Sequence, residues 1–364
     1  MLAIGQFDPM GEDESGGTIV VRKVDSPEDI FKTFSNCGAV PMSLSFSHDS
    51  NLLAAGLIDG QTGAGAVQVL SMTSGNVVDE TKSSEGYVAS VCFSLPPAQC
   101  KKGHPLEFLG IAKDSGWGCD GRHHDNGCAK KSEGTDTSKW KRFRCTKCDY
   151  DLCDKCNIRS RKMLVGTLGE RLLTADTAGN VLIRKCVDSE KFIEVVKFQQ
   201  KTGENIIPVA LFSPDGLLVV VTSNNMVQIR DPNTGAVKSK IEYPDEVSYV
   251  SFSCFDDLRA ADDKNQEKKS EQKVSLSLPD TSATEVNLMD KRGTLPCEKY
   301  VVVAQGNHVN INKIFAGAKV QDLICTGAVE SLSWHPDQTK IVSGDKNGTV
   351  AVWDVTSGKQ LYKF

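Results

Sequence analysis

The chain of 364 residues is predicted to be all-β, built from copies of one four-stranded antiparallel unit. Three observations carry this. Residues 328–364 read AVESLSWHPDQTKIVSGDKNGTVAVWDVTSGKQLYKF, with apolar residues in four short, nearly alternating runs: Val329, Leu332 and Trp334; Ile341 and Val342; Val350, Val352 and Trp353; Leu361 and Phe364. The breaks are turn chemistry: His335-Pro336-Asp337 cannot continue a strand, Lys346-Asn347-Gly348 suits a hairpin that needs positive φ, and Thr356-Ser357-Gly358 closes the third link. Similar runs recur along the chain behind Phe46, Phe93, Phe212, Phe252 and Trp334, about 40 residues apart wherever no insertion intervenes.

The segments SLSWHPD, IVSGDKNGTVAVWD and SGKQL resemble a WD-repeat β-propeller blade. One blade cannot bury both of its faces, so the resemblance implies several blades stacked around a central channel. The expected fold is therefore a WD-repeat-like propeller of about six visible four-stranded blades. Residues 1–34 begin in mid-blade: MLAIGQFD reads as a second strand, TIVVRKV as a third and residues 30–34 as a fourth, with the first strand missing. Residues 40–81 are a full copy. The third starts with VASVCFS, halts at Leu95-Pro96-Pro97 and resumes with LLTADTAGNVLIRK and FIEVVKF. The fourth, residues 206–243, is compact, with Arg230-Asp231 where the last copy has Trp353-Asp354. The fifth opens at 247–253 and returns at Tyr300. With no strand left to complete the first set, the chain is read as a piece of a longer propeller or a reading frame cut short.

This copy set departs from the family pattern. The Gly-His pair that usually precedes the first strand is absent, and Trp-Asp survives once. The His, Ser, Trp and Asp network of the family is thus expected to be mostly missing, although Asp59, Asp176 and Asp345 stand at or near its acidic hairpin position. The domain reading is propeller at 1–97, an inserted finger at 98–160, propeller at 161–254, a disordered insertion at 255–299 rich in Asp, Lys, Glu, Ser and Thr, and propeller at 300–364.

Bulk properties narrow the function classes. A hydrophobic fraction of 39% supports an ample core, and a net charge of −5 argues against general tracking of phosphate backbones. No window approaches 18 apolar residues, and the first residues lack a basic stretch followed by an apolar one, so no membrane span or secretion signal is expected. Seven of the thirteen Cys fall between Cys100 and Cys156, and the others are scattered. That distribution fits a reducing compartment with a local metal cluster better than a disulfide framework. The expected location is the cytoplasm, with the nucleus as the alternative.

The cysteine-rich insertion carries the chemistry. Cys145-x-x-Cys148 and Cys153-x-x-Cys156 each place two thiolates on a tight knuckle, near enough to share one tetrahedral zinc. RFRCTKCDYDLCDKC resembles the second half of ZZ-type fingers and of the related C1-like fingers. The resemblance implies two zinc ions with interleaved ligands, so that Cys119 and Cys128 share a metal with Cys153 and Cys156. A ZZ finger would complete the other site with two downstream His, absent here; the C1-like arrangement draws a His from the front, and His104 fits it. Cys100 is the favoured fourth ligand beside Cys145 and Cys148, with His123 and His124 in competition. No ligand position is left open, so the metals are expected to be structural.

Two recognition readings follow for the finger. In the ZZ family, acids around the first metal receive a peptide's free amino terminus, which implicates Asp120 directly after Cys119, together with Asp149 and Asp151; these acids could equally be surface residues offsetting Lys and Arg. The run Lys139-Trp140-Lys141-Arg142-Phe143-Arg144 raises nucleic-acid binding as a rival, against packing of the aromatics in the finger core. The chain is read as a protein-interaction scaffold, with proteins or peptides as partners and no small-molecule substrate. The alternative is a substrate-recognition component of a ubiquitin ligase. No Walker loop, Gly-x-Ser-x-Gly elbow or His-Glu-x-x-His stands in the sequence, so direct catalysis has no support there.

Overall fold

A computed structural model describes the chain apart from residues 7–16, 27, 35–38, 61, 84–85, 96–97, 112–116, 124–126, 129–139, 154, 158, 161–169, 189–190, 201–207, 214–215, 253–299, 315–316, 335–339 and 356. The expected 255–299 insertion, the turn at His335-Pro336-Asp337 and His124 therefore lie outside the described residues.

The described residues form seven antiparallel sheets, six of them blades in chain order and one in the finger. Blade one holds β1 (Leu2–Gln6), β2 (Thr18–Arg22) and β3 (Ile30–Phe34), and blade two holds β4 (Val40–Phe46), β5 (Leu52–Ile58), β6 (Gly65–Ser71) and β7 (Val77–Ser83). Blade three opens with β8 (Val88–Ser94). The chain then leaves for the finger, whose own sheet consists of β9 (Glu107–Ile111), β10 (Lys141–Cys145) and β11 (Tyr150–Cys153), ordered β11-β10-β9. It returns as β12 (Arg171–Asp176), β13 (Asn180–Asp188) and β14 (Lys191–Gln199). Ser94 pairs with Arg171, so the strands before and after the finger are direct neighbours and the insertion sits within one hairpin.

Blade four is β15 (Ala210–Phe212), β16 (Val219–Ser223), β17 (Met226–Arg230) and β18 (Val237–Glu242); blade five is β19 (Val247–Phe252), β20 (Tyr300–Gln305), β21 (His308–Lys313) and β22 (Lys319–Ile324). The last is β23 (Val329–Trp334), β24 (Lys340–Asp345), β25 (Val350–Asp354) and β26 (Gln360–Lys363). The aromatics Phe46, Phe93, Phe212, Phe252 and Trp334 all fall on first strands. Gly348 closes the hairpin between β24 and β25 with φ of 76°, a left-handed conformation that glycine adopts without a Cβ clash.

The second strands explain why alternation weakens in mid-blade. β16 and β20 are buried at every position, whereas the outermost strand β26 is exposed at every position. A strand covered on both faces is selected for apolar residues throughout, hence runs such as VVVTS and YVVVAQ. The cores are shared between successive blades. Ile19, Val21 and Phe34 of blade one pack with Leu53, Leu57 and Leu70 of blade two, and Val220 and Ile229 of blade four pack with Val250, Val301 and Val303 of blade five. Val302 and Ile311 in turn meet Leu332, Ile341 and Trp353 of blade six. No blade closes a core alone, which is the physical cause of the repetition.

Polar contacts set the spacing between blades. Ser43 and Ser45 of β4 accept the N–H groups of Val91 and Phe93 of β8 at 3.1 and 3.0 Å. The Ser90 hydroxyl donates to Ala210 O at 2.9 Å in blade four. Arg184 of blade three binds Asp79 and Thr81 of blade two, and Arg230 of blade four lies 4.4 Å from the Phe198 ring centroid of blade three. The family-type network, expected to be mostly missing, survives in altered form in blade six. Trp353 Nε1 donates to Ser343 Oγ at 2.9 Å, and Thr326 Oγ1 donates to Asp345 Oδ2 at 2.7 Å, so a threonine supplies the donor for the acidic hairpin position. Among the described residues no helix is long and apolar enough to cross a membrane.

Candidate metal centre

The finger is organised by two turns and a knuckle. Residues 98–106 fold back on themselves through the Gln99–Pro105 bridge, with Cys100 N donating to His104 O at 2.9 Å and Gly103 at φ of 80°. This turn puts Cys100 and His104 on one side. The knuckle after β10 is closed by the N–H groups of Cys148 and Asp149, both donating to Cys145 O, and Asp149 takes a positive φ of 53°. The third piece is the 3-10 turn Asp120–His123, which follows Cys119 and faces β11.

These pieces bring the eight expected ligands into two groups of four: Cys100, His104, Cys145 and Cys148, and Cys119, Cys128, Cys153 and Cys156. Within each group the donor atoms lie within 4.8 Å of one another. A tetrahedral zinc with Zn–S bonds near 2.3 Å sets its sulfurs about 3.8 Å apart. Cys128 Sγ lies 3.8 Å from both Cys153 Sγ and Cys156 Sγ. In the other group His104 Nδ1 is 3.1 Å from Cys148 Sγ, 3.6 Å from Cys100 Sγ and 3.8 Å from Cys145 Sγ. Soft thiolates with one imidazole, closed to four donors, have the chemistry of a structural zinc site.

Of the described competitors for the fourth place beside His104, Cys100 is the one brought to it. His123 is exposed, and its Nε2 takes a hydrogen bond from Arg122 Nε at 3.0 Å. Neighbouring groups serve the sulfurs: Cys153 N–H points at Cys119 Sγ at 3.3 Å, Lys102 N–H at Cys100 Sγ at 3.4 Å, and Arg159 at Cys156 Sγ at 3.5 Å. Donors of this kind favour the thiolate that a metal requires. Any side chain at position 121 would collide with Cys156 Sγ, which is why glycine follows Asp120.

The three acids singled out by sequence fare differently. Asp151 is buried, its carboxylate held at 2.8 Å by both Arg142 Nε and Arg142 Nη2 and at 3.0 Å by Arg144 Nη1. Its carboxylate is taken up by two arginines in the finger interior. Asp120 Oδ2 accepts the Asp151 N–H at 2.7 Å, tying the turn after Cys119 to β11. Asp149 is exposed and pairs with Arg144.

In the basic run the aromatics take the packing alternative. Trp140 is buried in the finger core with Trp117, Leu106, Tyr150 and Leu152, and Phe143 packs against that core. Arg142 lies 5.3 Å from the Trp117 ring centroid. Rings that could stack on bases and guanidiniums that could reach phosphates are thus occupied internally. Sequence reasoning missed this Trp117–Arg142–Asp151–Arg144 assembly, although its signal was present: 142 and 144 share one face of β10, and Arg144 pairs with Asp151 across the ladder.

Glu170 was also missed. It is buried where the chain re-enters blade three, accepts the His48 N–H of blade two at 2.6 Å, and burial pushes its carboxyl up to about 7.

Residues 318–354 match the family described as WD40: WD domain, G-beta repeat. The match covers the end of blade five and most of blade six, outside the finger. Among solved structures, the chain is similar to one titled "Crystal Structure of Mitotic Checkpoint Complex", with a TM-score of 0.52 and 14% identity over 95% of this chain and 71% of that chain. At that identity the likeness is one of fold. No curated protein matches the chain.

Proposed function

We propose that the chain is a protein-interaction scaffold, with the propeller as platform and a finger braced by two zinc ions as a second recognition module for a peptide segment or its free amino terminus. The observation that carries this reading is the pair of four-donor groups, interleaved in sequence and spaced as zinc tetrahedra. Cys100, His104, Cys145 and Cys148 would hold one ion, and Cys119, Cys128, Cys153 and Cys156 the other. With four protein donors each, the ions would supply folding energy rather than an open position for a substrate.

For the amino terminus, Asp120 and Asp149 are the acids left after Asp151 is assigned to the arginines. Asp120 keeps Oδ1 beyond its bond to the Asp151 N–H, and Asp149 is exposed at the knuckle. A carboxylate so placed binds an ammonium through charge-assisted hydrogen bonds.

Native mass spectrometry of the whole chain tests the metal reading: two zinc ions are expected, falling to one in Cys100→Ser. One ion in both would remove the second site. Peptides with free and acetylated amino termini then test the recognition reading, and equal affinity for the two would discard the role of Asp120.

A further inference from the structure

The finger's described arginines have partners within it, while three of its lysines have none. Arg142 and Arg144 bind Asp151, Arg159 binds Gly127 O and Cys156 Sγ, and Arg122 binds His123. Lys101, Lys102 and Lys147 are exposed, and among the described residues their ammonium groups meet neither a carboxylate nor a sulfur. It is the backbone N–H of Lys102 that serves Cys100 Sγ, at 3.4 Å, and its ammonium is left to solvent. Asp149, the acid beside the knuckle, pairs with Arg144 instead.

The fold gathers these three charges from two distant turns. Lys101 and Lys102 form the tip of the turn from Cys100 to His104, where Gly103 N donates to Cys100 O at 2.9 Å. Lys147 is the tip of the knuckle between Cys145 and Cys148. His104 Nδ1 and Cys148 Sγ, 44 positions apart in sequence, meet at 3.1 Å, so both tips border the same four-donor group. Like charges held side by side repel one another, and an acidic ligand relieves that repulsion. The setting sharpens the contrast. Residues 98–160 hold thirteen Lys and Arg against nine Asp and Glu, inside a chain of net charge −5. An acidic segment is therefore repelled by the chain as a whole and drawn to the finger.

We propose that Lys101, Lys102 and Lys147 form a docking face for a short acidic segment of a partner protein. The face lies apart from Asp120, which stands by the other donor group, and it needs no free amino terminus. Trp117, Trp140 and Tyr150 are buried in the finger core and have no face to offer a base, which favours a carboxylate run over a nucleic acid. Ammonium groups are compact point charges that suit separate carboxylates, whereas paired recognition of phosphate favours the arginine fork.

The test uses the whole chain and octaglutamate labelled at its carboxyl end, with an acetylated amino terminus that leaves Asp120 nothing to receive. Saturable binding is expected by fluorescence anisotropy, weakening as salt rises from about 50 to about 300 mM because exposed charges are screened. Lys101→Gln, Lys102→Gln and Lys147→Gln together should lower the affinity by about ten- to hundredfold, or about two- to fivefold for each exposed contact. Lys101→Arg, Lys102→Arg and Lys147→Arg together keep the charge and should keep the binding. Lys23→Gln, Lys240→Gln and Lys359→Gln remove the same charge from exposed positions of the propeller and should change the affinity by less than about twofold. No saturable binding, equal losses from the two glutamine variants, or an arginine variant as weak as the glutamine one would each overturn the proposal. Tighter binding of octathymidylate than of octaglutamate would overturn the choice of partner in favour of a nucleic acid.

Discussion

Asp151→Ala removes one carboxylate that two buried guanidiniums share. Arg142 and Asp151 side chains are 4% and 8% exposed, and Arg144 is 8% exposed, so water cannot replace the lost partner without opening the finger. Breaking a buried pair from one side typically costs about 3–5 kcal/mol, because the remaining charge stays desolvated. Two stranded arginines place this case toward the upper end, while the exposed Asp149 returns little to Arg144. An opening cost lowered by that amount raises amide exchange about 10³- to 10⁴-fold in β10 and β11, read at Phe143 and Leu152. The propeller provides the internal control: Val220 and Val302 belong to other cores and should keep their protection. Replacing Arg142 and Arg144 by Met and Asp151 by Leu together should be nearly neutral, since apolar side chains of similar volume leave no buried charge. Exchange in the finger changed less than about threefold by Asp151→Ala would show that the network does not hold it, and the reasoning would fail.

Three further outcomes are expected. Glu170 has a folded-state value of about 7, above the ordinary carboxyl value of 4.5, so between those values the folded chain binds a proton that the unfolded chain releases. Its own contribution to stability should therefore be full below about pH 4.5, fall as the pH rises toward 7, and be lost above it, by up to about 3 kcal/mol; Glu170→Gln should remove that contribution to the difference between urea melts at pH 5 and pH 8, and an unchanged difference would rule Glu170 out as a source. Gly121→Ala forces a methyl into Cys156 Sγ and should cost the finger the metal proposed for Cys119, Cys128, Cys153 and Cys156, so a full complement in mass spectrometry would contradict the proposed packing around that site. Thr326→Val takes the hydroxyl donor from Asp345 and should destabilise blade six, a lowered denaturation midpoint being the readout and an unmoved one the refutation.

Much of this molecule was legible in its residues. Period-two runs broken by Asn-Gly and Ser-Gly turns mark strands because a pleated strand points alternate side chains to opposite faces, and that signal is local. The finger's place inside one hairpin was readable too, since VASVCFS and LLTADTAG are strand patterns on either side of a segment of different composition. Knuckle spacing and the resemblance to cross-braced fingers singled out eight Cys and His positions, which the structure gathers into two groups of four. The weak points were those where a residue's role depends on a partner far along the chain. Asp151 reads as one more acid of the DYDLC stretch until β10 brings Arg142 and Arg144 against it.

By itself the sequence determined the strand period, the repeat, the insertion and the chemistry of the finger's donors, because each is written in neighbouring residues. Tertiary structure alone decided that Cys100 rather than His123 meets His104, that Arg142 and Arg144 share Asp151, and that Thr326 serves Asp345. The reason is physical. Strand periodicity arises from local backbone geometry, whereas a hydrogen bond or a ligand set depends on which distant segments the packed blades and the folded finger bring within about 3–4 Å.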